Sequence, residues 1–423
     1  MVVTFNLQSS APKPNPMSAS KERPKKIKDK TLPSSAFQKT SNIQEWFNTL
    51  CRGEFKEYCK AVRAKQYRRS PAHLTCEAMD LEPLKGRYED VICYDQSRVV
   101  LKREFGKVDP DDKDFIHANW IITPGTRTKY ILCQGPLENT IPDMWEMMFQ
   151  ERVSIIVMVC QCVEDGLQKC EKYWPETNET YGYYKVENLG DVKSKWLKDM
   201  HEVEVRELSI TAPNNVRHKL LHMVITNIGD HLASQDPNHL CKLSIFAKKY
   251  AYDKNGPIAT HCSAGIGRSG LFAAIQYVYE GMMTSDSTDP MQLVKEMRAC
   301  RKNCLQTYLQ YACLNMCLAN LFIRKKLIRN GEEYKTLLKK YNVYFNVFMN
   351  AAKQKKKATK RFEKSLDIED GNKENEDTKK ESTSTSKVGG EKQLQKPRVL
   401  SKKTMAEQTA RKSGSTYLNR LQN

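Results

Sequence analysis

No stretch of this chain stays apolar for long. The most hydrophobic segments, residues 154–160 and 312–323, are too short or too interrupted to cross a bilayer, which takes about 20 apolar residues. The first 41 residues, rich in Lys, Pro and Ser, hold no apolar run followed by a small-residue cleavage site, so no secretory signal is expected. There is no Cys-x-x-Cys pair among the 14 cysteines, which fall at irregular spacings, and reduced thiols in an intracellular protein are the expected state. No internal repeat is found. Residues 353–423 contain almost no aromatic side chain and are expected to bury too little to order themselves.

The 423 residues are enough to bury a substantial core, and the 39% hydrophobic fraction averages a richer middle with two poor ends. A formal charge of +19 raises the question of nucleic acid. Much of it, however, sits in runs at residues 21–30 and 353–361, and runs of this kind are more often solvated tails than readers of bases. No specific nucleic-acid partner is expected, while contact of the basic tails with acidic partners or membrane surfaces, or a nuclear-targeting role, stays open. The expected organisation is a disordered basic segment over residues 1–41, one folded domain over 42–345 and a basic low-complexity tail over 346–423. A cytoplasmic location is expected, with the nucleus as the alternative.

Apolar and aromatic residues recur at helical spacing from residue 43 to 66, through Trp46, Phe47, Leu50, Phe55, Tyr58 and Val62. Between residues 88 and 257 the pattern changes to short apolar runs bounded by turn residues, with 130–133, 154–160 and 220–226 as strand candidates. Helical spacing returns over 271–283, 290–298 and 307–328. Strands and helices mixed within one unit argue for an α/β domain.

Residues 257–261 read as a buried strand and Arg268 opens a helix, so Cys262 to Gly267 must form the turn between them. In His261-Cys262-Ser263-Ala264-Gly265-Ile266-Gly267-Arg268-Ser269-Gly270, such a turn can aim successive backbone N–H groups inward. A nest of this kind at a helix N-terminus binds a phosphate dianion, and no metal or other cofactor is called for. Gly265, Gly267 and Gly270 permit the tight backbone path. An ordinary thiol, with a pKa of about 8.5, is mostly protonated at neutral pH, yet the thiolate is the nucleophile. The N–H nest, the helix end and Arg268 would all stabilise that anion. Arg268 can also fork two phosphoryl oxygens, and Ser269 is placed to donate to the sulfur. His261, ahead of the nucleophile in a buried strand, is expected to hold the loop by hydrogen bonding.

With these residues in place the sequence resembles the phosphotyrosine-specific class of protein tyrosine phosphatases, intracellular and non-receptor in type, over roughly residues 46–323. Lys85-Gly86-Arg87-Tyr88-Glu89-Asp90-Val91 is similar to the family's phosphotyrosine-recognition loop, with Tyr94-Asp95-Gln96-Ser97-Arg98-Val99 continuing it. Asp114-Phe115-Ile116-His117-Ala118-Asn119 resembles the Asp-Tyr-Ile-Asn-Ala-Asn block. Gln134-Gly135-Pro136, Lys169-Cys170-Glu171-Lys172-Tyr173-Trp174-Pro175 and Gln306-Thr307-Tyr308-Leu309-Gln310 match three more. The resemblance implies a central mixed, twisted sheet flanked by helices, and hydrolysis of phosphotyrosine in partner proteins through a phosphocysteine at Cys262. It further implies that Tyr88 walls a deep cleft, that Asp90 accepts from the substrate backbone, and that Ser263, Ala264, Gly265, Ile266 and Gly267 line the phosphate site. Glu164 would hold Arg268 in register, Lys169 would meet the general-acid loop, and Gln306 and Gln310 would position the hydrolytic water.

The resemblance breaks at one place. Where the family has Trp-Pro-Asp, this chain has Ile228-Gly229-Asp230, within Thr226-Asn227-Ile228-Gly229-Asp230-His231-Leu232. Asp230 is retained as the implied general acid, needed because a phenolate leaving group has a conjugate acid with a pKa of about 10. Loss of the anchoring Trp and the stiffening Pro is expected to leave the closed loop less populated. Gly86 in place of the family's Asn is a smaller departure. The alternative that follows is a phosphotyrosine-binding protein with little turnover. Dual-specificity enzymes with a Cys-x5-Arg loop are a third reading, opposed by the Tyr88 and Gln306 blocks.

Overall fold

Four strands buried on both sides form the middle of the structure, and their apolar runs are why they sit there. The computed structural model describes residues 3–4, 34–53, 73–107, 111, 113–123, 125–194, 197–198, 200–284, 289–329 and 331–380. In chain order the strands are β1 (Val3–Thr4), β2 (Arg98–Val100), β3 (Phe115–Ile122), β4 (Lys129–Cys133), β5 (Ile155–Met158), β6 (Val163–Glu164), β7 (Leu167–Gln168), β8 (Asn178–Tyr181), β9 (Tyr184–Lys193), β10 (Val203–Thr211), β11 (Arg217–Ile225) and β12 (Ile258–His261). The helices are α1 (Ser34–Arg52), α2 (Glu77–Asp80), α3 (Ile141–Gln150), α4 (Pro237–Lys254), α5 (Arg268–Thr284), α6 (Pro290–Cys300), α7 (Tyr308–Arg324) and α8 (Gly331–Lys380).

The large sheet runs in the order β1-β9-β10-β11-β5-β12-β4-β3-β2, with β8 paired to β9. Pairings β11·β5, β5·β12 and β12·β4 are parallel, whereas β9·β10, β10·β11, β4·β3 and β3·β2 are antiparallel. A parallel centre with antiparallel wings is the mixed sheet expected of the sequence. It aligns the carboxyl ends of β4, β5, β11 and β12 at one rim, where open α/β sheets bind ligands. Alternation along the strands divides the core. Ile156, Met158, Ile131 and Ala259 pack with Met144, Trp145 and Met148 of α3, while helices α4 to α7 pack against one another around α5.

The chain falls into two compact units, Met1–Phe345 and Asn346–Asn423. Several strands and helices lie close to their expected positions, but α3 and α4 fall inside the stretch read as short strands, where the apolar residues also satisfy a helical period. The reading of 307–328 as one helix is cut at Arg324, because Lys326 takes a positive φ of 60°. Helix α1 opens at Ser34, inside the segment expected to be disordered, and α8 continues to Lys380, inside the expected tail. Lys, Glu and Ala have high intrinsic helix propensity, so a helix needs no apolar face there to form locally. Phe55, Tyr58 and Val62 lie outside the described residues, as do most of 1–41 and all of 381–423. Among the described residues no helix is long and apolar enough to cross a membrane.

Candidate active site

The turn between β12 and α5 is shaped from outside. Ser263 O accepts from Gly135 N–H at 2.9 Å, Ala264 O and Gly265 O accept from the Arg301 guanidinium at 3.0 and 3.1 Å, and Ile266 O accepts from Leu305 N–H at 2.8 Å. A peptide is planar and trans, so drawing four successive carbonyls outward turns the N–H groups toward the loop's interior. Gly265 has φ +70°, and a Cβ there would lie 2.1 Å from Cys133 O, so both the path and the close approach to β4 demand glycine.

Inside this ring sits the Cys262 thiol. Burial works against its ionisation. The Arg268 charge, the Ser269 hydroxyl at 3.5 Å and the N–H groups of Ser269 and Gly265 outweigh burial and bring the thiol below its ordinary pKa. Arg268 is 2% exposed and is gripped from three sides, by Glu164 at 2.5 Å, Ile228 O at 2.9 Å and Asp230 at 3.3 Å. Its Nε is buried with no hydrogen-bond partner among the described residues, a donor left for an anion.

Asp230 faces this pair from the loop after β11. Its second oxygen meets Lys169 Nζ at 2.8 Å, and its carboxyl is about a third exposed. Burial raises its pKa, but His231, Arg268 and Lys169 together hold the carboxyl well below the usual range, so without a ligand it is ionised. The loop is also held from behind. Arg268 holds Ile228 O, Thr307 Oγ1 donates to His231 O at 3.2 Å, Gln310 Nε2 to Leu232 O at 3.1 Å, and Tyr341 OH to Ser234 O at 2.5 Å. The expectation that losing Trp and Pro loosens the loop is thus set against four side-chain donors that catch its carbonyls.

Tyr88 enters from the opposite side, its hydroxyl 2.8 Å from Ser263 Oγ. Arg87 secures that segment by donating to Gly135 O at 3.0 Å and Pro136 O at 2.6 Å. Lys85 anchors it below through Asp143 at 2.9 Å, a pair in which both side chains are buried. Asp90 is exposed beyond Tyr88. The carboxamides of Gln306 and Gln310 crowd Gly267, each 3.0 Å from where a Cβ would stand.

Comparison with known proteins bears on this arrangement directly. The sequence profile described as Protein-tyrosine phosphatase matches residues 82–320. This chain belongs to the protein-tyrosine phosphatase family. Tyrosine-protein phosphatase non-receptor type 7 of Rattus norvegicus is 35% identical over 237 residues, which is 56% of this chain and 63% of the relative. The Homo sapiens non-receptor type 12 enzyme is 32% identical over 244 residues, 56% of this chain and 30% of that one. The chain therefore spans less than two thirds of the length of these relatives. The crystal structure of the catalytic domain of human protein tyrosine phosphatase non-receptor type 18 superposes with a TM-score of 0.57 at 26% identity, covering 67% of this chain and 99% of that one.

Beyond the landmarks read from the sequence, this member of the phosphatase family uses residues that carried no signal in it. Arg301 is fully buried, and besides the two loop carbonyls it donates to Asn119 Oδ1 at 2.7 Å and His117 Nδ1 at 3.0 Å. His117 Nε2 in turn donates to Val91 O at 2.9 Å, so its tautomer is settled. Only its place in the block where the family has Asn could have flagged it. His261, expected to hold the loop, does so within a directed chain. Its Nδ1 donates to Cys262 O at 3.2 Å, and its Nε2 accepts from Tyr173 OH at 2.7 Å. The Tyr173 oxygen accepts from His222 Nε2 at 2.9 Å. Burial pushes His261 down to about 4 and His117 down to about 3, so both are neutral at physiological pH.

Proposed function

We propose that the chain hydrolyses phosphotyrosine in proteins through a phosphocysteine intermediate. This rests on the Cys262 thiol, lowered in pKa inside a ring of N–H donors and beside an Arg268 whose Nε is free for an anion. A phosphoryl group seated in that ring brings its phosphorus to the sulfur. Its equatorial oxygens take the N–H groups and Arg268, which hold the charge as it spreads in the transition state. The tyrosyl oxygen departs toward Asp230. In the ligand-free state Asp230 is held ionised by His231, Arg268 and Lys169, but an arriving dianion engages Arg268 and adds like charge, and both effects raise the carboxyl's pKa toward one that can deliver a proton. In the second step the same carboxylate takes the proton of a water held by Gln306 and Gln310, and the thiolate leaves, helped by Ser269. Tyr88, tied to Ser263, makes the cleft too deep for phosphoserine or phosphothreonine to reach the sulfur.

A second reading is favoured by one observation. Asp230 is so firmly ionised, in a loop with Ile228 and Gly229 for Trp and Pro, that the protein could bind phosphotyrosine and turn it over poorly. Phosphate release from a phosphotyrosine peptide by wild type, Cys262→Ser and Asp230→Ala in parallel separates the two. Active chemistry predicts no release from Cys262→Ser and a loss of about 10²-fold or more in Asp230→Ala. A binding module predicts release no greater than that of the Cys262→Ser control, or little change on removing Asp230.

A further inference from the structure

Three thiols converge at the base of the β6·β7 hairpin. Cys160 and Cys162 follow β5, and Cys170 follows β7. Cys170 N–H donates to Cys162 O at 3.2 Å, beside Lys169 N–H donating to the same oxygen at 2.7 Å, and the Cys160 and Cys162 thiols both bear on the ionisation of the Cys170 thiol. The hairpin between Cys162 and Cys170 carries both side chains that hold the site's charged pair, Glu164 against Arg268 at 2.5 Å and Lys169 against Asp230 at 2.8 Å. We infer that Cys162 and Cys170 are a peroxide-responsive dithiol, separate from Cys262, whose closure to a disulfide displaces Lys169 from Asp230.

Chemistry and access agree on the order of events. Cys160 and Cys170 are fully buried and Cys162 is half-buried, so peroxide reaches Cys162. The Cys170 thiol outweighs burial at Cys162 and favours its thiolate, whereas burial pushes Cys170 up. The Cys162 thiolate attacks one oxygen of hydrogen peroxide, giving Cys162 sulfenic acid and hydroxide. The Cys170 thiol then attacks that sulfur, its proton leaves with the sulfenic oxygen as water, and the S–S bond forms. Two thiols and one peroxide become one disulfide and two waters. Cys170 gives up its contact with Glu171 O, now 3.1 Å, and the two sulfurs close to about 2.05 Å. Lys169 is the residue adjoining Cys170, so its backbone moves with that closure. The consequence for turnover rests on the phosphatase reading above; the disulfide itself does not.

The test uses the full chain with Cys262→Ser, which removes the competing thiol. After mild hydrogen peroxide, peptide mapping is expected to find Cys162 joined to Cys170. Amide exchange is expected to rise severalfold across residues 229–234, and phosphotyrosine-peptide affinity to fall about fivefold. Dithiothreitol restores all three. The same treatment of Cys162→Ser or Cys162→Ala in that background leaves exchange unchanged, and either variant suffices if the other fails to fold. Both thiols still reduced, a Cys160 to Cys170 link, or a Cys162 to Cys170 link with unaltered exchange overturns the proposal. A reduced protein that binds no phosphotyrosine peptide overturns the functional reading instead, and mapping with exchange still decides the dithiol.

Discussion

Replacing His117 with Asn isolates what a buried neutral histidine costs this fold in acid. His117 is wholly enclosed, donates to Val91 O and accepts from Arg301, and burial with the neighbouring Arg301 charge pushes it down to about 3 from 6.5. His261 is pushed down to about 4. Each is neutral in the native state and takes a proton once unfolded below pH 6.5, so the unfolded chain binds more protons between 6.5 and the native pKa. Stability then falls as pH falls through that window. Between pH 7 and pH 5 each such histidine removes about 2 kcal/mol, from the ratio of unfolded to native proton binding. His222, lowered further by burial and Arg206, acts with the same sign. Urea unfolding of wild type and His117→Asn at both pH values is the assay. The mutation shifts stability at every pH, but the change between the two pH values should be smaller in the mutant by about 2 kcal/mol, because terms common to both proteins cancel. An identical pH dependence in the two proteins refutes the neutral, Arg301-facing His117 and with it the account of how Arg301 is oriented.

Three further outcomes are expected. Tyr88→Ala should weaken phosphotyrosine-peptide use and narrow the preference over phosphoserine peptides, measured as the ratio of kcat/KM values; unchanged selectivity would return Tyr88 to a packing role. Tyr341→Phe removes the donor to Ser234 O and should cost about 1 kcal/mol in unfolding, and it should lower turnover on phosphotyrosine more than on an activated aryl phosphate. Equal loss on both substrates would show that the loop's hold does not serve proton delivery. Ile228→Trp with Gly229→Pro should raise phosphotyrosine turnover and leave the activated substrate little changed, because only the step that needs the acid is helped. A folded double mutant with no gain would mean that the four carbonyl contacts already supply the closure.

The sequence alone determined what lies close along the chain. Cys262, Arg268, Ser269 and their glycines share one turn, so type and spacing carried their chemistry, and the buried run 258–261 announced the strand that delivers them. It also marked the loss of Trp and Pro before Asp230. Tertiary structure decided what acts across distance. Arg301 stands among ordinary helix-end residues in the sequence, and only the fold of α6 against β3 brings it beneath the carbonyls of Ala264 and Gly265, turning a glycine-rich loop into an oriented ring of donors. Tyr341 drew no reading from the sequence, yet from α8 its hydroxyl reaches the loop that carries Asp230. The ionised state of Asp230 belongs in part to the fold as well, since besides its chain neighbour His231 it is held by Arg268 and Lys169 from separate elements. Local composition limits which conformations a segment can adopt. The field at a carboxylate or thiol, however, is a sum over neighbours in space, and that sum exists only once the sheet has brought the ends of its strands together.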